Sequence, residues 1–329
     1  TASAGTGRED EAAQVAVFAP ARLHLGFLDL EGGLGRRFGG LGLAIDGLGT
    51  RLRLAQARSA SASGPGGERA LRYLAQAAAA LDLAPDARIT VDEASPEHAG
   101  FGSGTQLGLA VAAALARLHG ARVTTADLAK AIGRGARSGI GIGAFDSGGF
   151  LVDGGLGPGA DPAPVVARLA FPAAWRVLLL LDPTRQGLHG SGEAAAFGKL
   201  PAFPEALAGR LCRVLLLRLL PGLAEHDFAA VSSALGEIQE RLGDYFSAAQ
   251  NGRYSSPGVA EALGWLKGQG ILGIGQSSWG PTGFALLASL ADAEAVAKAA
   301  AERFHACNLD FRIVGGRNRG ADITLLARA

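Results

Sequence analysis

Gly100-Phe101-Gly102-Ser103-Gly104-Thr105-Gln106, running straight into Leu107-Gly108-Leu109-Ala110-Val111-Ala112-Ala113-Ala114-Leu115, is the stretch from which the rest of this chain is read. It is a glycine-rich loop opening a helix that carries no charge before Arg117. Glycines let the backbone turn tightly and let a ligand approach the main chain. A helix start leaves N–H groups without partners at the positive end of the helix dipole. Together they predict an anion site, with phosphate the usual occupant, and Ser103 and Thr105 add hydroxyls. The uncharged helix predicts packing on its faces against protein. A plain structural turn is the competing reading, because Gly and Ala are abundant throughout. The spacing is not the Walker pattern, since no Lys-Ser/Thr follows. Nor is it the dinucleotide fingerprint, since Asp92–Ala99 separates the glycines from the upstream strand Ala87–Val91.

Composition bounds the remaining possibilities. The chain has 329 residues, enough for two domains. Hydrophobic residues make up 48% and charged residues 19%, an ordinary globular balance. A formal net charge of +1 argues against a nucleic-acid surface, which needs a basic excess. Aromatic residues at 6% leave little for base-stacking platforms. Two cysteines, Cys212 and Cys307, fall in apolar helical patterns and read as buried thiols, with no disulfide framework and no metal cluster. Thr1–Ala13 is polar and small without an apolar core, and is expected to be a disordered tail rather than a signal peptide. The most hydrophobic stretch, Leu211–Leu220, is interrupted by Arg213 and Arg218, so no membrane span and a cytoplasmic location are expected.

The pattern along the chain predicts an α+β protein. Strands are expected at Gln14–Ala19, Arg22–Leu30, Leu41–Ile45, Thr50–Ala55 and Ala87–Val91, and helices over Glu68–Leu83 and from Thr125, a good N-cap, to about Arg137. Beyond proline-rich Gly157–Pro164 the order is strand Arg176–Leu181, helices across Glu205–Gln250, strands Gly270–Gly275 and Thr282–Leu287, helix Asp292–Cys307 and strand Phe311–Val314. That β-α-β-β-α-β order is the split βαβ arrangement of ferredoxin-like domains. A last strand, Asp322–Ala327, could extend that sheet. The domains are set at 14–165 and 166–329, after the tail 1–13.

Five further segments carry chemistry. In Pro20-Ala21-Arg22-Leu23-His24-Leu25-Gly26, strand alternation puts Arg22 and His24 on one face. Arg22 suits phosphate or carboxylate, and His24 can donate a hydrogen bond or act as acid or base. Arg36-Arg37-Phe38-Gly39-Gly40 puts two arginines in a glycine loop. Asp146, in a glycine-dense stretch, and Glu193, in Pro183–Glu193 together with His189, are acids that could bind a cation. Gly273-Ile274-Gly275-Gln276-Ser277-Ser278-Trp279-Gly280-Pro281-Thr282-Gly283 holds more polar side chains than a plain hairpin needs, and reads as a ligand loop. No Gly-x-Ser-x-Gly elbow, His-Glu-x-x-His or Cys-His cluster is present.

Pro20–Gly26, Gly100–Thr105 and Gly273–Gly283, in that order, resemble the three motifs of the galactokinase–homoserine kinase–mevalonate kinase–phosphomevalonate kinase (GHMP) superfamily. The resemblance implies a two-domain fold, with an N-terminal ribosomal-protein-S5-like α/β domain and a C-terminal ferredoxin-like domain. A closer resemblance, over nearly all of residues 14–327, is to the β-ribofuranosylaminobenzene 5'-phosphate synthase family. Ala21–Gly26, Phe38–Ile45, Gly100–Gln106 and Gln276–Thr282 carry it. Gly104 and Thr105 depart from the kinase Ser-Ala pattern.

What this resemblance implies is a decarboxylating transfer. Phosphoribosyl pyrophosphate and 4-aminobenzoate, or 4-hydroxybenzoate, would give an aryl C-riboside 5'-phosphate, carbon dioxide and pyrophosphate, early in tetrahydromethanopterin biosynthesis. It further implies Mg²⁺ as cofactor and a homodimer. The expected roles follow. Gly100, Gly102, Ser103, Gly104, Thr105 and Gln106, with Arg36 and Arg37, bind phosphate or pyrophosphate. Gln276, Ser277, Ser278, Trp279 and His189 bind the aromatic substrate. Arg22, His24 and Asp146 are catalytic, and Asp146 and Glu193 hold the metal. An ATP-dependent small-molecule kinase and a non-catalytic nucleotide-binding module are the alternatives.

Overall fold

A computed structural model describes residues 13–159, 161–188 and 190–326, with the side chains of Ser191 and Ala194 undescribed. The expected tail, but for Ala13, and His189 lie outside the described residues.

The chain opens with two long strands, β1 (Gln14–Asp29) and β2 (Phe38–Gln56). Four separate strands were expected there. Instead each pair is continuous, and antiparallel pairing carries through register shifts between Pro20 and Arg22 and between His24 and Gly26. Proline cannot donate to the ladder, and Gly26, at φ +133, adopts a conformation that other residues rarely take. The bulges therefore fall where the backbone tolerates them, next to Arg22 and His24. Then come β3 (Ser61–Ser63), α1 (Gly67–Leu81), β4 (Ala87–Glu93), α2 (Ser103–Leu118), α3 (Thr125–Ala131) and α4 (Ile140–Asp146). The helix expected from Thr125 to Arg137 stops early, because Gly133 and Gly135 take positive φ of +63 and +101 and turn the chain. Thr124, rather than Thr125, caps it, accepting from the Asp127 amide. After β5 (Phe150–Asp153) and β6 (Val165–Leu169), the second half runs β7 (Arg176–Leu181), α5 (Gly190–Lys199), α6 (Glu205–Val214), a π-helical turn at Leu215–Leu219, α7 (Leu220–Glu225), α8 (Phe228–Gln250), α9 (Pro257–Gly268), β8 (Ile274–Gln276), β9 (Gly283–Leu287), α10 (Leu290–Arg303), β10 (Asp310–Val314) and β11 (Asp322–Leu326).

Two sheets result. The second is wholly antiparallel in the order β10-β7-β9-β8, the ferredoxin-like arrangement expected. The first runs β11-β1-β2-β4-β3, with β5 and β6 joined through β2. The last strand does not extend the second sheet. It pairs antiparallel with β1, Ile323 opposite Val17 and Leu325 opposite Val15, because Arg317 anchors the chain before it beside the first sheet. The division expected at 165/166 falls inside β6, which belongs to the first sheet through β5.

Apolar alternation dictates the layers. Val15, Val17, Leu52 and Leu54 point from the first sheet into a core with Leu74 of α1 and Leu107, Leu109 and Val111 of α2. Each such fully buried side chain stabilises by about 1.5–3 kcal/mol. Leu178 and Leu180 face α9 and α10, while Leu179 and Phe284 face Leu235 and Ile238 of α8. Leu23 and Leu43 of the first sheet share that last cluster, so α8 is packed by both sheets. Cys212 and Cys307 are exposed rather than buried, each on the solvent side of its helical turn. Among the described residues no helix is long and apolar enough to cross a membrane.

Candidate active site

Three loops meet where β1, α2 and the β8–β9 connection converge. Gly100, at φ +87, offers its carbonyl oxygen to two donors, Arg22 Nη1 at 2.6 Å and Ser277 Oγ at 2.7 Å. A side chain at Gly100 would place its Cβ 2.5 Å from the Ser277 carbonyl oxygen, so only glycine allows the approach. The Arg22 amide donates to Phe101 O at 3.2 Å, the Ser278 amide to His24 O at 3.0 Å, and the His24 amide to Ser277 Oγ at 3.0 Å. The first, second and third motifs are thereby stitched into one surface.

The anion cradle is the start of α2. Gly102 caps it in the left-handed conformation, φ +72. Its carbonyl accepts from the amides of Thr105 and Gln106, whereas the Ser103 and Gly104 amides have no acceptor among the described residues. Two arginines flank them. A Cβ on Gly102 would lie 3.0 Å from Arg22 Cζ, and one on Gly104 would lie 3.2 Å from Arg134 Nη2. No carboxylate among the described residues forms an ion pair with either guanidinium. Burial lowers Arg22 to about 10, opposed by the field of Glu193, so it stays charged at neutral pH. Gln106 is fully buried, donates to Gly141 O at 2.8 Å and leaves Oε1 unpartnered.

Beside the cradle lies a pocket whose apolar walls are Phe27 of β1, Leu242 and Phe246 of α8, and Trp279. His24, Gln239, Gln250, Gln276 and Ser278 supply its polar atoms, and Arg253 and Tyr254 complete the lining. Trp279 is held edge-on by Phe197 and Phe246 at centroid distances of 5.3 and 5.0 Å. Gln276 Oε1 accepts from the Ser255 amide at 2.7 Å. Gln239 bridges the pocket floor, donating to Leu25 O at 2.7 Å and accepting from the Gln276 amide at 2.9 Å. His24 is buried, its Nε2 has no partner among the described residues, and its ring packs on Phe27 at 4.6 Å. Burial, reinforced by the Arg22 charge, drives its pKa down to about 3, so the imidazole is neutral.

The remaining expected site residues sit elsewhere or are otherwise engaged. Arg36 donates to the carbonyls of Gly154 and Gly155 at 2.7 and 2.8 Å, and Arg37 to Leu30 O at 3.0 Å, so backbone occupies both. Asp146 is exposed at the end of α4, accepting from Thr125 Oγ1 at 2.7 Å. Glu193 reaches the pocket but pairs with Arg137 at 2.6 Å and accepts from Trp279 Nε1 at 3.2 Å. Asp146 and Glu193 share no partner, and no cluster of three metal-binding side chains exists among the described residues. These acids do not fit a resident metal cage. The sequence reading passed over Arg134 and Arg137. They lie in Gly133-Arg134-Gly135-Ala136-Arg137, the same glycine–arginine signal that drew attention to Arg36 and Arg37. Buried Asp153 shapes that segment, accepting from the Gly139 amide and Ser138 Oγ at 2.9 and 2.7 Å and from the Gly40 and Gly155 amides at 2.9 and 3.0 Å.

Comparison with known proteins bears on this site. Residues 68–152 match the family model described as GHMP kinases N terminal domain, and residues 219–306 that described as GHMP kinases C terminal. The beta-ribofuranosylphenol 5'-phosphate synthase of Archaeoglobus fulgidus is 34% identical, covering 92% of this chain and 97% of that relative. The protein of the same name from Methanothermobacter thermautotrophicus is 31% identical, covering 94% and 98%. Among solved structures, a homoserine kinase from Cytophaga hutchinsonii superposes with a TM-score of 0.67 at 19% identity, covering 98% of this chain and 100% of that one. The mevalonate diphosphate decarboxylase of Enterococcus faecalis gives 0.66 at 16%, covering 96% and 99%, and both show the shared fold.

Proposed function

The chain belongs to the beta-ribofuranosylphenol 5'-phosphate synthase family of enzymes on the GHMP kinase fold, and from that premise we propose that it transfers a 5-phosphoribosyl group from phosphoribosyl pyrophosphate to a 4-substituted benzoate with loss of carbon dioxide. The relatives are named for a phenol product, so 4-hydroxybenzoate is the acceptor proposed first and 4-aminobenzoate second. The pathway proposed is tetrahydromethanopterin biosynthesis, as the family resemblance implies.

The observation that carries the proposal is the shared Gly100 carbonyl, which sets an anion cradle directly against an aromatic-walled pocket. The donor is an α-anomer and the product a β-riboside, so one displacement with inversion accounts for the stereochemistry without an enzyme nucleophile. The ring carbon bearing the carboxylate forms a bond to ribose C1. The bond from C1 to oxygen breaks, and its electron pair leaves with pyrophosphate. The carbon–carboxylate bond then breaks, its electrons restore the aromatic ring, and carbon dioxide departs. The para oxygen supplies electron density throughout, and the overall reaction needs no redox partner.

The protein's part is charge placement and positioning. The Ser103 and Gly104 amides and Arg22 stabilise charge developing on the departing pyrophosphate. Mg²⁺ accompanies the donor in this proposal, bound to pyrophosphate, because the chain's own acids do not gather around one point. Trp279, Phe27 and Phe246 hold the ring, and the unpartnered His24 Nε2 faces it as a neutral hydrogen-bonding atom. The test is release of labelled carbon dioxide from carboxyl-labelled 4-hydroxybenzoate with phosphoribosyl pyrophosphate and Mg²⁺. Stoichiometric release with pyrophosphate is expected. Absence of release with either benzoate, or ATP consumption instead, overturns the proposal.

A further inference from the structure

The proposed reaction develops charge of both signs. Negative charge on the departing pyrophosphate meets the start of α2. The opposite charge appears on the ribose. As the C1–oxygen bond lengthens, its electron pair leaves with pyrophosphate, and C1 and the ring oxygen share a positive charge until the acceptor carbon bonds to C1. That charge arises between the aromatic pocket, which holds the acceptor, and the helix start, which holds the leaving group. Glu193 stands at this junction. Its Oε1 accepts at 3.2 Å from Nε1 of Trp279, in the pocket wall. Its Oε2 pairs at 2.6 Å with Nη1 of Arg137, three residues beyond the Arg134 that flanks Gly104 at the helix start. Burial lowers the pKa of Arg22 and the negative charge of Glu193 opposes that fall, so the field of Glu193 reaches the cradle. Phe197 lies one turn further along α5 on the same face, 5.3 Å from the Trp279 ring and 5.5 Å from Arg137 Cζ. The carboxylate is thus fixed from two sides, with its side chain 23% exposed. A carboxylate has about four acceptor sites, and these two contacts leave about two of them free. Among the described residues the other acids bonded to a pocket residue are Asp244 and Glu240, and both are spent on Arg253.

Resting on the reaction proposed above, we infer that Glu193 is a catalytic residue whose carboxylate faces the ribose and stabilises the positive charge developing on C1 and the ring oxygen. It forms no bond to C1, in keeping with a single displacement, and it holds no metal. Arg137 and Trp279 are positioning residues that act through it. A carboxylate repels the anionic donor in the ground state, so its charge helps only as pyrophosphate departs. That gives the role a signature. Loss of the charge slows turnover without weakening the donor.

The test separates charge from shape. Glu193→Gln keeps the size of the side chain and an acceptor for Trp279 but loses the charge. Release of labelled carbon dioxide should show kcat reduced at least about tenfold. The KM for phosphoribosyl pyrophosphate should be unchanged or lower, and the Mg²⁺ requirement unchanged. Glu193→Asp, which keeps the charge, should retain more activity. Glu193→Gln combined with Arg137→Gln should stay slow, and recovery there would trace the loss to a freed Arg137 and overturn the inference. Calorimetry on the full chain, with Mg²⁺ and pyrophosphate present, compares ribose 5-phosphate with iminoribitol 5-phosphate, whose protonated ring nitrogen carries the positive charge. The unmodified chain should bind the cationic ring more tightly. Glu193→Gln should weaken that ligand by about tenfold or more, and ribose 5-phosphate by less than about threefold. An unchanged kcat, a raised Mg²⁺ requirement, or equal losses on both ligands overturns the inference. Failure of the reaction reads differently. No carbon dioxide release by the unmodified chain retires it, and selective binding of the cationic ring would then keep the role for ribosyl transfer to another acceptor.

Discussion

Gly100 accepts two hydrogen bonds at one oxygen and has no room for a Cβ, which makes it the smallest unit of the site. Residues of this kind were legible in sequence because their neighbours are local: Gly100, Gly102 and Ser103 share one loop, and Arg22 and His24 one strand face. Arg134 was not legible. Its glycine–arginine surroundings match those of Arg36 and Arg37, and only the turn at Gly133 and Gly135 decides which arginine arrives beside Gly104. His24 yields a prediction at this scale. The folded protein keeps it neutral to about pH 3, whereas the unfolded chain takes up a proton near 6.5. Acid therefore favours the unfolded chain: this contribution is constant above about pH 6.5 and turns against folding as pH falls towards 3. Between pH 7 and 5 the loss is about 2 kcal/mol, at about 1.4 kcal/mol per pH unit below 6.5. Urea titrations at both pH values should show that loss shrinking in His24→Asn, and an unchanged pH dependence would remove His24 as its source.

At the scale of elements, α8 ties the pocket to both sheets through Gln239, which holds Leu25 O on one side and the Gln276 amide on the other. Gly275 is required for this, since a Cβ there would lie 2.1 Å from Gln239 Oε1. Gln239→Leu would leave a buried carbonyl and a buried amide unpartnered, at about 2–4 kcal/mol together. Urea unfolding at pH 7 measures it, and a loss below about 1 kcal/mol would show that the bridge is dispensable. The helices and strands of the ferredoxin-like half were readable because apolar spacing switches cleanly between the two periods. The breaks in β1 and β2 were over-read. Gly47, Gly49 and Pro20 look like strand ends, yet long antiparallel pairing absorbs them as bulges. Sequence pattern also named β11 as a strand but joined it to the wrong sheet, because an edge strand's place is set by contacts remote in sequence.

For the molecule as a whole, those contacts centre on Arg317. Its side chain is nearly buried and donates to Asp46 at 3.0 Å, Asp322 at 2.8 Å and Gly320 O at 3.0 Å, with Phe18 beneath its guanidinium at 5.0 Å. Arg317→Met should lower global stability by about 2 kcal/mol, less than a fully buried pair because Asp46 and Asp322 are half exposed. Amide exchange should rise most at Asp322–Leu326 and at the β1 residues facing them. Uniform protection in the variant would show that β11 holds without its anchor.

The return of β11 to β1 also bears on synthesis. A chain emerging from the ribosome presents β1 early, but the strand that covers its outer edge is made some 300 residues later, by the separation of Val17 and Ile323. Until then β1 exposes an unpaired ladder carrying Val15 and Val17, the kind of edge on which other chains nucleate. The first sheet is therefore begun before the second and closed after it, and the β1 edge stays open while every element between β1 and β11 is made.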